Sequence, residues 1–171
     1  MAQIRRAVPN DAAGIAAVHV ASWKSTYTGL LPAGYITRRT YAARLAFWTD
    51  CLAAADPAIR VFVAEWDNGA ICGFASGGPH RTRAIDLDSE LYSLYLLEEA
   101  QGRGLGRRLA TAVMISLAAP AAAVWVLASN PARGFYERLG AVVCAERPLA
   151  IGAETFVEIG YRLPPPQTSP S

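Results

Sequence analysis

A glycine-rich segment holds the residues whose types and spacing best fit a chemical task. Glycine alternates with other residues in the run Gly-Arg-Gly-Leu-Gly-Arg at positions 102–107, and apolar residues then recur at helical spacing. The first N–H groups of a helix have no intrahelical partner, and the helix dipole adds about half a positive charge there. Because glycine has no Cβ, a bulky phosphate group can approach these N–H groups closely. The segment therefore predicts a diphosphate site, to which Arg103, Arg107 and Arg108 add positive charge.

A plain glycine turn is the competing interpretation of this segment, because glycine is common in turns. Its alternation at the start of an amphipathic helix is unusual for a mere turn. Two nucleotide-binding motifs are excluded. Arg107 stands where the dinucleotide fingerprint G-x-G-x-x-G has its third glycine, and the Gly-Lys-Ser/Thr triplet of a P-loop does not occur in the chain.

Three blocks of the chain resemble conserved blocks of one enzyme superfamily. The run QGRGLG at residues 101–106 resembles the Q/R-x-x-G-x-G/A motif with which GNAT acetyltransferases grip the diphosphate of acetyl-CoA. Residues 90–96 resemble the fourth strand of that family, and residues 130–140 resemble its last conserved block. The blocks occur in the family's order, and the resemblance extends from Ile4 to about Leu163.

The resemblance implies a single-domain α/β fold. Its central seven-stranded sheet is mostly antiparallel, the fourth and fifth strands are parallel and splayed apart by the cofactor, and about four helices flank the sheet. A length of 171 residues suits one such domain. We assign residues 1–163 to the domain and residues 164–171, which are proline-rich and have no apolar side chains besides proline, to a flexible tail.

Acetyl-CoA is the acyl donor that the resemblance implies, and its binding residues follow from matching positions. The backbone N–H of Leu94 polarises the thioester carbonyl, Leu96 pairs its main chain with the pantetheine amides, and Tyr95 lies between them. Asn130 bonds the pantetheine arm, caps the last helix, or does both. The diphosphate is held by Gln101, Gly102, Arg103, Gly104, Leu105, Gly106 and Arg107.

Acetyl transfer to an amine needs a base, because an alkyl ammonium with a pKa near 10 is protonated at neutral pH. Glu90 is the candidate. It lies four residues before Leu94, where histone acetyltransferases of the superfamily carry their glutamate base, and on an unbroken strand it shares a face with Tyr92 and Leu94. A solvated carboxylate at the end of a strand is the alternative. The fifth-strand base of other members is excluded, since that position is Trp125.

Tyr136 is the candidate general acid, because a phenol can protonate the departing thiolate. It belongs to the run Phe-Tyr-Glu-Arg-Leu-Gly, which matches the family's F-Y-x-x-L-G, and a core tyrosine is the alternative. Trp23 and Tyr27 lie one helical turn apart and are candidates for the wall of the acceptor pocket, although such pairs are more often core aromatics.

The expected function is acetyl-CoA-dependent transfer of an acetyl group to a primary amine by direct attack. A non-catalytic acyl-CoA-binding sensor of the same fold is the first alternative, and the retained pair of Glu90 and Tyr136 argues against it. A nucleotide-binding protein is the second. Partners are therefore acetyl-CoA and an amine acceptor, and a homodimer is an arrangement that the sequence allows.

Composition narrows the remaining classes of function. A net charge of +2 and a pI near 8.5 are too mild for a nucleic-acid footprint, and the longest apolar run is too short to cross a membrane. Without a signal peptide at the N-terminus, a cytoplasmic location is expected. Three widely spaced cysteines read as small buried hydrophobes in a reducing compartment, and His19 and His80 lie too far apart to predict a metal site.

Local signals place the ends of several elements. Asn10 or Asp11 is a candidate N-cap of the first helix, and the turn Asp-Asn-Gly at 67–69 predicts a hairpin between the second and third strands. Asn130 with Pro131 predicts the start of the last helix, and Gly140 its end.

Overall fold

The computed structural model describes residues 2–166, which contain seven strands and five α-helices. The helices pack on both faces of one sheet. In chain order the elements are β1 (Ala2–Arg6), α1 (Ala12–Tyr27), α2 (Ala33–Thr37), α3 (Tyr41–Ala54), β2 (Arg60–Trp66), β3 (Ile71–Pro79), β4 (Ser89–Leu96), α4 (Leu105–Ser116), β5 (Ala122–Leu127), α5 (Arg133–Arg138), β6 (Val142–Ile151) and β7 (Glu154–Leu163).

The sheet has the strand order β1-β2-β3-β4-β5-β7-β6, and only the pair β4–β5 is parallel. That pair is joined in register at a single position, Glu90 opposite Ala123. Beyond it the two strands diverge, so the edge of β4 that faces β5 is left without a strand partner. The predicted fold, with parallel and splayed fourth and fifth strands, is confirmed, and the count of flanking helices is five.

Each face of the sheet has its own core. On one face α4 buries Leu105, Leu109 and Val113, which recur at helical spacing. On the opposite face α1 and α3 pack over the sheet and bury Ile15 and Trp48. The cofactor candidates of α4 and the acceptor candidates of α1 are thereby held on opposite sides of the sheet.

A β-bulge in β4 changes which side chains share a face. The register with β3 passes from Ser93 opposite Ser76 to Leu91 opposite Gly77, which leaves Tyr92 as the extra residue. Leu91 and Leu94 consequently pack into the same cluster beneath α4. The expectation that Glu90 shares a face with Leu94 is therefore wrong, because it assumed an unbroken period of two. Glu90 lies on the face that carries α1 and α3, together with the ring of Tyr95.

The predicted N-cap of the first helix is confirmed in position, since Asp11 directly precedes α1, but its side chain does not cap the helix. Asp11 makes no side-chain capping hydrogen bond to α1, which follows a 3₁₀ turn at Pro9–Asp11. Its carboxylate instead accepts hydrogen bonds from the Arg5 guanidinium at 2.7 and 2.8 Å and from the Val8 N–H at 2.8 Å. A charged partner on β1 outcompetes the helix end for this carboxylate.

The last helix begins later than the sequence predicted. Asn130 precedes α5 by three residues, and its Oδ1 accepts a hydrogen bond from the Ala132 N–H at 2.9 Å. Asn130 thus orders the turn before the helix and does not cap the helix. Gly140, with a φ of +86°, follows the helix end as expected, since this left-handed conformation favours glycine.

The predicted burial of the cysteines holds for Cys72, whereas Cys51 is half-buried and Cys144 is exposed on β6. Residues 164–166 form neither helix nor strand, and the rest of the predicted tail lies outside the described residues. Within residues 2–166, no helix is both long enough and apolar enough to span a membrane.

Candidate active site

A cleft of about 1010 Å³ opens where β4 and β5 separate. Its walls come from α1, β4, the glycine-rich segment with α4, and the segment that leads into α5. Most of the predicted site residues meet there, namely Leu94, Tyr95, Leu96, Gln101, Gly102, Gly104, Leu105, Gly106, Arg107, Asn130 and Tyr136. Glu90, Arg103, Trp23 and Tyr27 do not line this cleft.

The glycine-rich segment presents an open backbone to the cleft. Gly102 and Gly104 have φ values of +71° and +75°, and a Cβ added at either one would meet no atom within 4 Å. Gly104 directly precedes α4, whose first turn has no side-chain cap. Gly106 is packed more tightly, since a Cβ there would lie 3.1 Å from the Phe135 ring. The free N–H groups and the open space above them suit the predicted anion site, which stays a prediction.

Only one of the three arginines expected to flank this site lines the cleft. Arg107 does so, whereas the Arg103 Nε donates to the main-chain carbonyl of Glu99 at 3.0 Å and Arg108 donates to the carbonyl of Ala2 at 3.1 Å. Arg138 of α5 lines the cleft in addition. Sequence reasoning missed Arg138 because its approach to Arg107 depends on how α4 and α5 pack.

The end of β4 is tied to its surroundings through one carbonyl. The Leu96 C=O accepts a hydrogen bond from the Ser22 hydroxyl at 3.1 Å and from the Gln101 side-chain amide at 3.3 Å. Gln101 therefore fixes the glycine-rich segment against β4, a role that its motif position did not reveal. The pairing of Leu96 with pantetheine amides stays a prediction.

Three tyrosines from separate elements meet with Asn130 beside the cleft. Burial raises the pKa of Tyr27, and hydrogen bonding with Tyr95 and Asn130 partly offsets that rise. Burial also raises the pKa of Tyr95 well above its usual value, and Tyr27 adds to it. The Tyr95 ring stacks on His19 with centroids 5.2 Å apart. The sequence named Tyr95 for its place in the strand only, and nothing in the chain order linked it to Tyr27.

Tyr136 is buried in this cluster and reaches the cleft with 8% of its surface exposed. Burial raises its pKa above the usual value, and Tyr27 contributes to the rise. The phenol therefore keeps its proton throughout the neutral range. A protonated phenol in the wall of the cleft suits the donor role predicted for Tyr136, which stays a prediction.

Glu90 is among the most buried side chains of the protein, at 2% exposure, so the alternative of a solvated carboxylate is wrong. Its carboxylate accepts hydrogen bonds from the Arg81 N–H at 3.0 Å and from the Arg81 guanidinium at 2.5 and 3.2 Å. The Arg81 guanidinium also lies over the Tyr92 ring, 4.2 Å from its centroid. Glu90 thus holds the loop before β4 in place, and its role as a base stays a prediction.

Trp23 and Tyr27 lie on the α1 face of the sheet, with ring centroids 4.3 Å apart. Trp23 packs in a small core cluster with Leu31 and Leu127, against which the Tyr27 and Tyr95 rings also rest. Trp23 therefore borders the Tyr27–Tyr95–Tyr136 cluster through its contact with Tyr27, on the α1 face of the sheet.

The two histidines, His19 and His80, make hydrogen bonds within the described residues. The His19 Nδ1 accepts a hydrogen bond from the Trp48 indole at 3.1 Å, and burial together with Arg44 and Arg39 lowers the pKa of His19 to about 4. His80 contacts the Leu87 carbonyl at 3.0 Å. Within residues 2–166, no group of three or more His, Cys, Asp or Glu side chains is placed to hold a metal ion.

Comparison with known proteins agrees with this fold and cleft. A family model described as an acetyltransferase (GNAT) domain matches residues 57–140. The uncharacterized N-acetyltransferase YuaI of Bacillus subtilis strain 168 is 34% identical over 167 residues, which cover 96% of this chain and 94% of YuaI. The chain therefore belongs to the GNAT acetyltransferase family.

Solved structures of low sequence identity share the fold. The PaiA N-acetyltransferase of Thermoplasma acidophilum, in complex with coenzyme A, is 21% identical with a TM-score of 0.67 over 92% of this chain and 98% of its own. The YncA protein of Salmonella typhimurium, with its cofactor acetyl-CoA, is 22% identical with a TM-score of 0.70 over 100% of this chain and 98% of its own.

Proposed function

We propose that this chain transfers an acetyl group from acetyl-CoA to a primary amine by direct attack. The observation that carries the proposal is the cleft between β4 and β5, which combines an uncapped helix N-terminus with the buried hydroxyl of Tyr136. Family membership supports acetyl transfer. The complexes of PaiA with coenzyme A and of YncA with acetyl-CoA support this donor.

In this proposal the diphosphate of acetyl-CoA lies on the N–H groups at the start of α4, with Gly102 and Gly104 keeping the approach open. Arg107 and Arg138 supply positive charge from two walls. The pantetheine arm runs along the unpaired edge of β4 past Leu96 and Asn130, as an added strand would, and the Leu94 N–H polarises the thioester carbonyl.

The reaction transfers the acetyl group from the CoA sulfur to the amine nitrogen. The ammonium loses one proton, and the amine lone pair attacks the carbonyl carbon to form the C–N bond. The C–S bond then breaks, and the CoA sulfur leaves with its electron pair and receives a proton from Tyr136. The second amine proton restores the Tyr136 phenol. Since burial raises the pKa of a thiol as well as that of a phenol, the raised pKa of Tyr136 does not prevent this transfer.

In this proposal the acceptor amine binds on the face of the sheet opposite to α4. Trp23 and Tyr27 form the wall of its pocket, and Glu90 takes the amine proton through relaying water. The bulge at Tyr92 turns the Glu90 side chain to this face, which favours the assignment. The ion pair with Arg81 must loosen for Glu90 to accept a proton.

The test is a panel of primary amines incubated with acetyl-CoA and followed by release of free thiol. Transfer predicts thiol release that depends on the amine and an acetylated product of matching mass. Thermal shifts with acetyl-CoA, CoA and ATP run in parallel. Stabilisation by acetyl-CoA without any turnover would favour an acyl-CoA-binding sensor, and stabilisation by ATP alone would favour a nucleotide-binding protein.

A further inference from the structure

Two arginines beside α2 and α3 have buried donor atoms without partners. The Nε atoms of Arg39 and Arg44 are inaccessible to solvent and have no hydrogen-bond partner among the described residues. Neither guanidinium forms an ion pair within residues 2–166, whereas Arg5, Arg81 and Arg147 each contact a carboxylate. Buried N–H donors are nearly always satisfied in native proteins, so it is unusual that no described residue supplies an acceptor to either guanidinium group.

The two cations are held in place by aromatic rings. The Arg39 guanidinium carbon lies 3.7 Å from the centroid of the Trp23 ring, and that of Arg44 lies 5.1 Å from the Phe47 ring. Burial lowers the pKa of Arg44, and the like charge of Arg39 adds to this effect. Stacking covers the face of a guanidinium and leaves the N–H groups at its edge free to bind an anion in their own plane.

This pair of cations lies next to the candidate active site. Arg39 stacks on Trp23, whose ring contacts that of Tyr27 at 4.3 Å. The charge of Arg39 also acts on the pKa values of Tyr27 and Tyr95, which border the cleft. The Trp23 Nε1 is a further buried donor without a partner.

Two carboxylates on the same face, the buried Glu90 and the half-buried Glu158, are already paired with arginines. Glu90 is bound by Arg81, and Glu158 accepts from the Arg147 Nε at 2.7 Å. Arg39 and Arg44 therefore keep an uncompensated positive charge on this face, while the exposed Glu98 lines the cleft itself. An acceptor amine that also carries an anionic group would pair with the Nη groups of the two arginines, which unlike the Nε atoms are not sealed from solvent, and would offset the like charges.

We propose that Arg39 and Arg44 bind a carboxylate of the acceptor, which makes amino acids and related amines with a carboxylate the substrate class of this enzyme. The inference rests on the proposed acetyl transfer and adds to it the recognition of the acceptor. Arg39 and Arg44 are specificity-determining residues, since they bind the acceptor away from the reacting atoms. The planar fork of a guanidinium matches the two oxygens of a carboxylate.

The experiment compares L-amino acids with their amides as paired acceptors in the thiol-release assay. The amide keeps the primary amine and the side chain but has no negative charge, and its amine is the less basic of the two. We expect kcat/KM to favour the carboxylate member of the pair by about 10- to 100-fold. In Arg39→Gln this preference should disappear, mainly through a higher KM for the carboxylate member of each pair. Arg38→Gln removes the exposed neighbouring arginine and serves as the matched control.

A second measurement covers the case in which Arg39→Gln folds poorly. Amino acids added in the presence of CoA should raise the melting temperature of the wild type and of Arg38→Gln, and Arg39→Lys should keep only part of that rise. Acetylation of amides and amino acids at equal kcat/KM would refute the carboxylate site and leave acetyl transfer standing. Stabilisation by amino acids without turnover of any amine would support the site and refute acetyl transfer. No stabilisation and no preference would mean that water satisfies these arginines.

Discussion

Burial raises the pKa of Tyr136, which suits a phenol that donates its proton to a leaving thiolate. The phenol remains protonated below and through its usual titration range and loses its proton only at higher pH. An acid that must be protonated to work therefore stays active across the neutral and mildly alkaline range.

We expect Tyr136→Phe to lower turnover by about 10- to 1000-fold with the affinity for acetyl-CoA nearly unchanged, because the ring is kept and only the hydroxyl is lost. The ratio of wild-type to variant rates should stay flat from about pH 6 to about pH 9, since the phenol is protonated throughout. Stopped assays over that range measure the ratio, with Tyr41→Phe on the exposed side of α3 as the control. Loss of acetyl-CoA binding with normal turnover at saturation would assign the hydroxyl to the cofactor instead.

Glu90 and Arg81 form an ion pair, and a substitution of each partner separates a catalytic role of Glu90 from a structural role of the pair. If Glu90 takes the amine proton, Glu90→Gln lowers the rate by about 100-fold near pH 7, and the loss shrinks towards pH 10 as free amine becomes available unaided. Arg81→Gln leaves the carboxylate in place and should retain most of the rate. Rate profiles of both variants against pH are the measurement. An equal loss in both variants at every pH would show that the ion pair is structural.

The glycine-rich segment acts at the scale of an element, because it joins β4 to the start of α4. Gly104→Asp introduces a side chain and a negative charge where the diphosphate would lie, so the variant should lose the thermal stabilisation by acetyl-CoA. That stabilisation is about 2.7 kcal/mol in the wild type at a ligand concentration of about 100 times Kd. Thermal unfolding with and without acetyl-CoA measures this stabilisation in the wild type and in the variant.

A matched variant separates backbone strain from ligand contact. Gly69 in the β2–β3 turn has a φ of +84°, close to the +75° of Gly104, and a Cβ at either position meets open space. Gly69→Asp should therefore destabilise the unliganded protein to a similar degree and keep the response to acetyl-CoA. A retained response in Gly104→Asp would remove the diphosphate from this segment.

Elements whose signals are local were predictable from the chain. The hairpin turn at 67–69, the glycine-rich start of α4 and the left-handed Gly140 each depend on a few neighbouring residues. The missed features depend on distant partners. The Asp11 carboxylate binds the Arg5 guanidinium and not the end of α1. The bulge at Tyr92, where β4 pairs with β3, places Glu90 on the face opposite to the predicted one. Pattern reasoning assumes a constant period, and a bulge breaks it.

Across the whole molecule, the sequence by itself determined the family, the order of the elements and the residues of the glycine-rich segment, because these follow from short spacings. The tertiary structure alone decided which side chains meet. Tyr27, Tyr95 and Tyr136 come from a helix, a strand and a second helix, and they gather only where β4 and β5 part. The unpartnered guanidinium groups of Arg39 and Arg44 were likewise invisible in the chain, since the lack of a partner is a property of packing and not of residue type.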